Sequence, residues 1–156
     1  MSDGEKMTLA APPEARSGAA TWAARSRPIG LVLAVVFAAV GLAFLVLPNG
    51  VLGVFNVLSR PLGMREGPLE GAAFYRVLAV GYMYVVTVLA FLMYRRPGNR
   101  LVVWLLVQAK AASAALSVGF FVLGAPYLIY LANAVCDSLI ALGLLALCLA
   151  MGRGES

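Results

Sequence analysis

The chain contains 156 residues, of which 62% are hydrophobic and 12% are charged, and its mean hydropathy is +0.92. This composition excludes an ordinary soluble domain, because long uncharged runs would aggregate in water, and it predicts that the chain is surrounded by a lipid bilayer. The net charge of +5 does not indicate a nucleic-acid partner, since the basic residues cluster beside the apolar runs, where they meet anionic headgroups.

The amino-terminal residues 1–27 are rich in Ala, Pro, Gly, Ser and charge and have no apolar periodicity, which predicts a disordered tail. The first uncharged run, about 29–47, is longer than the apolar core of a signal peptide, so we expect an uncleaved membrane span. Small residues at three- or four-residue spacing predict a face on which another helix packs closely. They are Gly30, Ala34, Ala38 and Gly41.

The first span is followed by a connection that extends to Gly71. Pro48 interrupts the apolar run, and residues 51–58 then place their large apolar side chains on one helical face. This pattern is typical of a short helix in the membrane interface, although an irregular loop fits so short a segment equally well.

Three more apolar runs predict spans at about 72–94, 101–123 and 127–151. Tyr82 and Tyr84 lie inside the second span, where their hydroxyl groups need partners or a wet cavity. The sequence therefore predicts an all-α polytopic membrane protein with four transmembrane helices in an antiparallel bundle. The predicted transmembrane domain covers residues 28–151, and residues 152–156 form a second, short tail.

The distribution of basic residues predicts the orientation in the membrane, because cytoplasmic loops carry an excess of Lys and Arg. One side of the bundle would hold most of them, namely Lys6, Arg16, Arg25, Arg27, Arg95, Arg96, Arg100 and Arg153. The opposite side would hold only Arg60 and Arg65. Both tails are therefore predicted to be cytoplasmic.

Each of the last two spans carries one charge near its middle, Lys110 in the third and Asp137 in the fourth. In an antiparallel hairpin folded around residues 123–124, these two residues face each other. A charge at this depth costs roughly 2.5–3.5 kcal/mol on insertion scales, so intramembrane charges usually pair. We therefore predict a Lys110–Asp137 ion pair.

On both spans, polar residues repeat with the i, i+3, i+7 spacing that places them on one helical face. The resulting polar stripe consists of Lys110, Ser113 and Ser117 on the third span and Tyr130, Asn133 and Asp137 on the fourth. The ion pair either fixes the register of the hairpin or lines a polar cavity for a small ligand, a proton or an ion. In a third interpretation, Lys110 contacts another group, such as a second subunit.

Arg76 lies about one helical turn inside the second span. Its side chain either extends back to the interface, reaches Asn133 or Asp137, or contacts an anionic headgroup or ligand. No glycine-rich phosphate loop, CxxC, HExxH or GxSxG motif occurs, and the chain has no histidine. We therefore expect no catalytic residues, no metal and no cofactor.

The segments FLVLPNGVLGVF (44–55) and FYRVLAVGYMYV (74–85) resemble the DoxX-like group of small bacterial four-helix membrane proteins. The resemblance is carried by Pro48, Phe55, Tyr75 and Arg76. It implies a four-helix bundle and a partner-dependent role, since some members of that group are associated with oxidoreductase complexes. It implies nothing about Lys110 and Asp137.

Two functions fit the sequence. The first is a non-enzymatic accessory or assembly subunit of the bacterial inner membrane, with a protein partner or a second copy of itself. The second is a small-molecule, proton or ion-handling protein that uses the polar stripe.

Overall fold

The computed structural model describes residues 13–69 and 73–153, and the remaining residues lie outside the described part. Side chains are described from residue 24 to 69 and from 77 to 151. The described chain forms five α-helices joined by short connections and one 3₁₀ turn, Arg60–Leu62. The helices are α1 Pro13–Val46, α2 Pro48–Ser59, α3 Ala73–Arg95, α4 Arg100–Leu123 and α5 Leu128–Arg153.

Four of these helices contain segments long and apolar enough to cross a membrane: Ala24–Val46, Val77–Arg95, Arg100–Leu123 and Leu128–Met151. Large apolar side chains cover the outside of the bundle, and Leu123, for example, is 88% exposed. An exposed apolar surface of this extent is stable only when lipid covers it. The predicted fold class, an all-α membrane bundle of four spans, is confirmed.

Helices α1 and α3 form an antiparallel pair whose backbones approach closely at Gly30. A Cβ atom at Gly30 would lie 2.7 Å from the Tyr94 backbone nitrogen and 2.9 Å from the Ala90 carbonyl oxygen. At Gly41 a Cβ atom would lie 3.0 Å from the Met83 Cβ. The predicted small-residue face therefore packs as expected at these two glycines.

The predicted face differs from the structure at one position. Ala34 is buried, but Ala38 is exposed, and the buried stripe of α1 continues through Phe37 instead. The buried positions 30, 34, 37 and 41 follow the 4-3-4 spacing of a helix that packs against one partner. The spacing of small residues alone does not reveal that a large aromatic side chain occupies this stripe.

The α4–α5 hairpin is the second antiparallel pair, and the two pairs meet along α3 and α4. A buried apolar core fills the half of the bundle next to the Arg95–Arg100 turn. It includes Met93, Val103, Leu106 and Leu144. In that turn, the Asn99 side chain accepts a hydrogen bond from the Val102 amide at 3.3 Å, which caps α4.

The structure describes the connection between the first two spans from Pro48 to Leu69. Residues 48–59 form α2, so the irregular-loop alternative is wrong for this stretch. The proline occupies the first helical turn, where its missing N–H costs nothing. Asn56 holds the following segment through two hydrogen bonds with the Gly67 backbone, at 2.9 and 2.8 Å. A backbone bridge from Arg65 to Tyr127 joins this segment to the start of α5.

At the amino terminus, α1 extends back to Pro13, so residues 13–27 are helical although their composition predicted a disordered tail. Alanine, which has the highest helix propensity, recurs through this stretch, and proline at the first helical position is favourable. The helix also continues through Pro28. The remaining predicted tail residues, 1–12 and 154–156, lie outside the described residues.

The close approach at Gly30 predicts that Gly30→Ala destabilises the protein by about 1–3 kcal/mol, because the added methyl group collides with backbone atoms of α3. The matched control is Gly143→Ala, since a Cβ atom at Gly143 meets nothing within 4 Å. We expect the control to unfold at the wild-type denaturant concentration or above it. The measurement is detergent-denaturant unfolding followed by circular dichroism, and equal effects of both variants would contradict the prediction.

A second prediction concerns the exposed ion pair between Arg60 Nε and Glu66 Oε1, which are 2.8 Å apart. The hydrogen bond from Arg60, together with its positive charge, holds the pKa of Glu66 below its ordinary value. A carboxylate with a lowered folded-state pKa stabilises the fold above its unfolded-state pKa. That contribution is lost as the pH falls through the folded-state pKa.

We therefore expect Arg60→Gln to raise the titration midpoint of the Glu66 carboxyl carbon, measured by NMR. Arg65→Gln is the matched control, because the contact of Arg65 with Tyr127 uses the backbone. A midpoint that is unchanged in Arg60→Gln would show that the ion pair does not form in solution.

Candidate functional site

The predicted ion pair between the third and fourth spans is present. Lys110 Nζ donates a hydrogen bond to Asp137 Oδ1 at 2.8 Å, and the two side chains are only 3% and 5% exposed. Lys110 lies in α4 and Asp137 in α5. Removing two charges from water is expensive, and a short contact between them recovers part of that cost.

The tight connection between α4 and α5 sets the register that brings the two charges together. Gly124 ends α4, and a Cβ atom at this position would lie 2.8 Å from the Phe120 carbonyl oxygen. The Tyr127 amide then donates to the Ala125 carbonyl at 2.7 Å, and α5 starts at Leu128. Because the connection is this short, the two helices have little freedom to slide, and the charges remain at matched depth.

Two aromatic rings from the other helices cover the Lys110 ammonium group. Its nitrogen lies 4.3 Å from the centroid of the Phe37 ring in α1 and 5.2 Å from that of the Tyr82 ring in α3. A cation over an aromatic face is stabilised by about 0.5–2 kcal/mol, with the larger values in desolvated sites. All four membrane-crossing helices therefore contribute a side chain to this site.

Tyr82 also satisfies its own hydroxyl group, which donates a hydrogen bond to the Ala109 carbonyl oxygen at 3.0 Å. This is the partner that the sequence required for a tyrosine inside the second span. Tyr84, by contrast, is 70% exposed. Sequence reasoning did not place Tyr82 or Phe37 at the ion pair, because nothing in the spacing of α1 or α3 indicates which face meets Lys110.

Further along the hairpin, Asn133 joins both serines of the polar stripe. Its side-chain nitrogen donates to Ser113 Oγ at 3.1 Å and to Ser117 Oγ at 2.7 Å. Ser117 is buried, whereas Asn133 is exposed on the outside of the bundle. The structure therefore brings together the ion pair and an adjacent amide–hydroxyl cluster, and the second of these has an open side.

Tyr130, the remaining member of the predicted stripe, lies at the end of the stripe and makes aromatic contacts. Its ring stacks on Phe120 with centroids 5.8 Å apart and lies against Tyr127 at 5.6 Å. Among the described residues, no hydrogen bond joins its hydroxyl group to Asn133 or to either serine. Arg76 belongs to α3, but its side chain lies outside the described residues, so its role stays a prediction.

One oxygen of the site has no partner among the described residues. Asp137 Oδ2 is buried and accepts no hydrogen bond, while Oδ1 is used by Lys110. Within the described part of the chain, no group of three or more His, Cys, Asp or Glu side chains is placed to hold a metal ion. The described side chains of the site offer hydrogen bonds and charge around a carboxylate.

The fold and this site define the class of the protein, an all-α integral membrane protein with an intramembrane ion pair. Compared with protein-family profiles, with curated proteins and with solved structures, the chain shows no match.

The ion pair predicts that the stability losses from substitutions at Lys110 and Asp137 depend on each other. Lys110→Asp and Asp137→Lys each leave buried like charges, and we expect each to cost about 3–5 kcal/mol or to prevent accumulation in the membrane. The combination of both restores an opposite-charge pair and is expected to recover most of the loss. The measurement is protein abundance in membranes together with the free energy of unfolding.

A second double variant, Lys110→Met with Asp137→Leu, serves as the control without charge. Replacing a buried ion pair by apolar residues of similar size is often neutral or stabilising, so we expect this variant to fold. Additive losses in both double variants would show that the two side chains do not depend on each other.

Proposed function

We propose that the protein is a non-enzymatic accessory or assembly subunit of the bacterial inner membrane. The ion pair holds its four helices in register, and an outward face of α4 binds a partner helix. The observation that carries the proposal is an exposed amide, Gln108, that is followed along the same face of a membrane-crossing helix by small residues.

The α4 face, defined as Gln108, Ala111, Ala112, Ala115 and Gly119, lies on the outside of the bundle. Gln108 is two turns from the start of α4, or about 12 Å along the helix, so its amide lies well inside the span. An amide exposed to hydrocarbon lacks hydrogen-bond partners, and side chains of this kind commonly bond across to another helix. Small residues beside it allow the backbone of that helix to approach.

The far end of the α4 face opens into a shallow groove of about 400 Å³. It is lined by Ala115, Leu116, Gly119, Phe120, Leu123 and Gly124. A Cβ atom at Gly119 would meet nothing within 4 Å, so the rest of the bundle does not need a glycine there. A partner helix that packs along α4 explains both the amide and the glycine.

The proposal also includes the orientation of the protein in the membrane and its family. Both termini and the Arg95–Arg100 turn lie in the cytoplasm, because the basic residues concentrate at that end of the spans. The segments 44–55 and 74–85 support membership of the DoxX-like group, for which a partner-dependent role is the expectation.

The test is affinity purification of the full chain in mild detergent, with Gly119→Leu and Gln108→Leu as interface variants. Both changes should leave the monomer folded, since neither side chain supports its own bundle, and both should remove a stoichiometric partner protein. The matched control is Gly143→Leu on α5, which also adds a side chain into open space. A wild-type chain that purifies alone, or a control that loses the partner equally, would refute the proposal.

The second candidate function is the handling of a small molecule, a proton or an ion by the polar stripe. It is favoured by the buried, unpartnered Asp137 Oδ2 beside an exposed Asn133. The same purification discriminates the two functions, because this candidate requires a homo-oligomer with a ligand at the stripe and no other protein.

A further inference from the structure

The starting observation is the unequal use of the two carboxylate oxygens of Asp137. Oδ1 accepts the Lys110 hydrogen bond at 2.8 Å, whereas Oδ2 has no partner among the described residues, although the whole residue is only 4% exposed. A charged acceptor left without a hydrogen bond in an apolar interior is costly, by more than the 1–3 kcal/mol typical of neutral groups. Native structures commonly satisfy such groups with an internal water molecule.

A buried water molecule needs two to four polar partners, and groups with unused capacity surround this carboxylate. The Lys110 ammonium has three donors, of which Oδ1 takes one. The Ser113 hydroxyl accepts a hydrogen bond from Asn133 and retains its own proton to donate. Ser113 lies one turn from Lys110 on α4, and the Tyr82 ring lies 5.2 Å from the Lys110 nitrogen, which places all of these groups in one cluster.

The end of the membrane span nearest to this site lies along the same helix face. Asn133 is one turn nearer than Asp137 to the start of α5, about 8 Å along the helix from Leu128, and its amide spans the space between α5 and both serines of α4. The Phe37 ring, which lies over the Lys110 nitrogen, belongs to the buried apolar core. Solvent is therefore expected to reach Asp137 from the Asn133 side.

We propose that Asp137 Oδ2 binds an internal water molecule, which donates to the carboxylate, accepts from Lys110 and Ser113, and exchanges with solvent past Asn133. The ion pair is then a hydrated site that is in contact with solvent through the bound molecule. This inference rests on the geometry of the ion pair and holds whether or not α4 binds a partner.

The test is water-edited solid-state NMR of the full chain in liposomes, which measures how fast magnetisation passes from water protons to individual carbons. Leu106 is the dry reference, because it is fully buried one turn from Lys110 on α4, and the Glu66 side chain, exposed in the connection outside the spans, is the wet reference. We expect the Asp137 carboxyl carbon to build up signal several times faster than Leu106 and to approach the rate of the Glu66 carboxyl carbon.

A build-up at Asp137 as slow as that of Leu106 overturns the proposal. If the carboxyl carbon then has the chemical shift of a neutral acid, Oδ2 carries a proton in place of the water. The partner-binding face of α4 is untouched by either result.

The position of the water is tested by Ser113→Ala, which removes one of its partners without changing the charges. We expect the transfer to Asp137 to slow markedly while the ion pair and the fold persist. Thr87→Val is the matched control, since the Thr87 hydroxyl bonds to the Met83 carbonyl of its own helix. An unchanged rate in Ser113→Ala, or an equal decrease in Thr87→Val, would overturn the placement of the water beside Ser113.

Discussion

The Lys110–Asp137 ion pair is the contact at which side chains from all four spans meet. Each charge alone is costly at this depth, and the burial of both is favoured when they lie in close contact at matched height. The need for close contact restricts the translation of α4 and α5 along their axes, where apolar packing discriminates little between registers. It also acts around the axes, because a rotation of either helix would turn its charge towards lipid. One contact therefore restricts two degrees of freedom of the α4–α5 hairpin.

The two halves of the bundle are held together by different forces. Next to the Arg95–Arg100 turn, close-packed apolar side chains such as Met93, Val103 and Leu106 fill the interior. In a bilayer such packing gains dispersion energy and no net hydrophobic energy, because the lipid tails are equally apolar. In the opposite half, hydrogen bonds and the ion pair take over. Hydrogen bonds and ion pairs form only between particular groups in particular orientations. The polar half of the bundle therefore sets the positions of the helices, and apolar side chains fill the space that remains in the other half.

The sequence predicted the ion pair because depth and helical phase are both properties of single helices. Counting residues from the span ends placed Lys110 and Asp137 at the same height, and their i, i+3, i+7 neighbours placed them on defined faces. The positions of Phe37 and Tyr82 at the ion pair were not predicted. They depend on how the α1–α3 pair packs against α4, and the residue spacing within a single helix does not contain this information. The prediction for Ala38 was wrong for the same reason. A small side chain permits another helix to approach closely, but it does not determine whether a helix packs at that position.

Phe37 shows how the small residues of α1 and the ion pair are connected. It lies on the same buried stripe as Gly30 and Gly41, seven residues after the first and four before the second. At both glycines α1 lies so close to α3 that a methyl group would collide with its neighbour or only just fit. This close approach keeps α1 within the bundle, and its aromatic ring reaches to 4.3 Å from the Lys110 nitrogen. The two glycines therefore influence the contact between the Lys110 ammonium group and the Phe37 ring without touching Lys110 themselves. If a bulkier residue moved α1 outward, the ammonium group would lose its aromatic cover on the side that faces the apolar core.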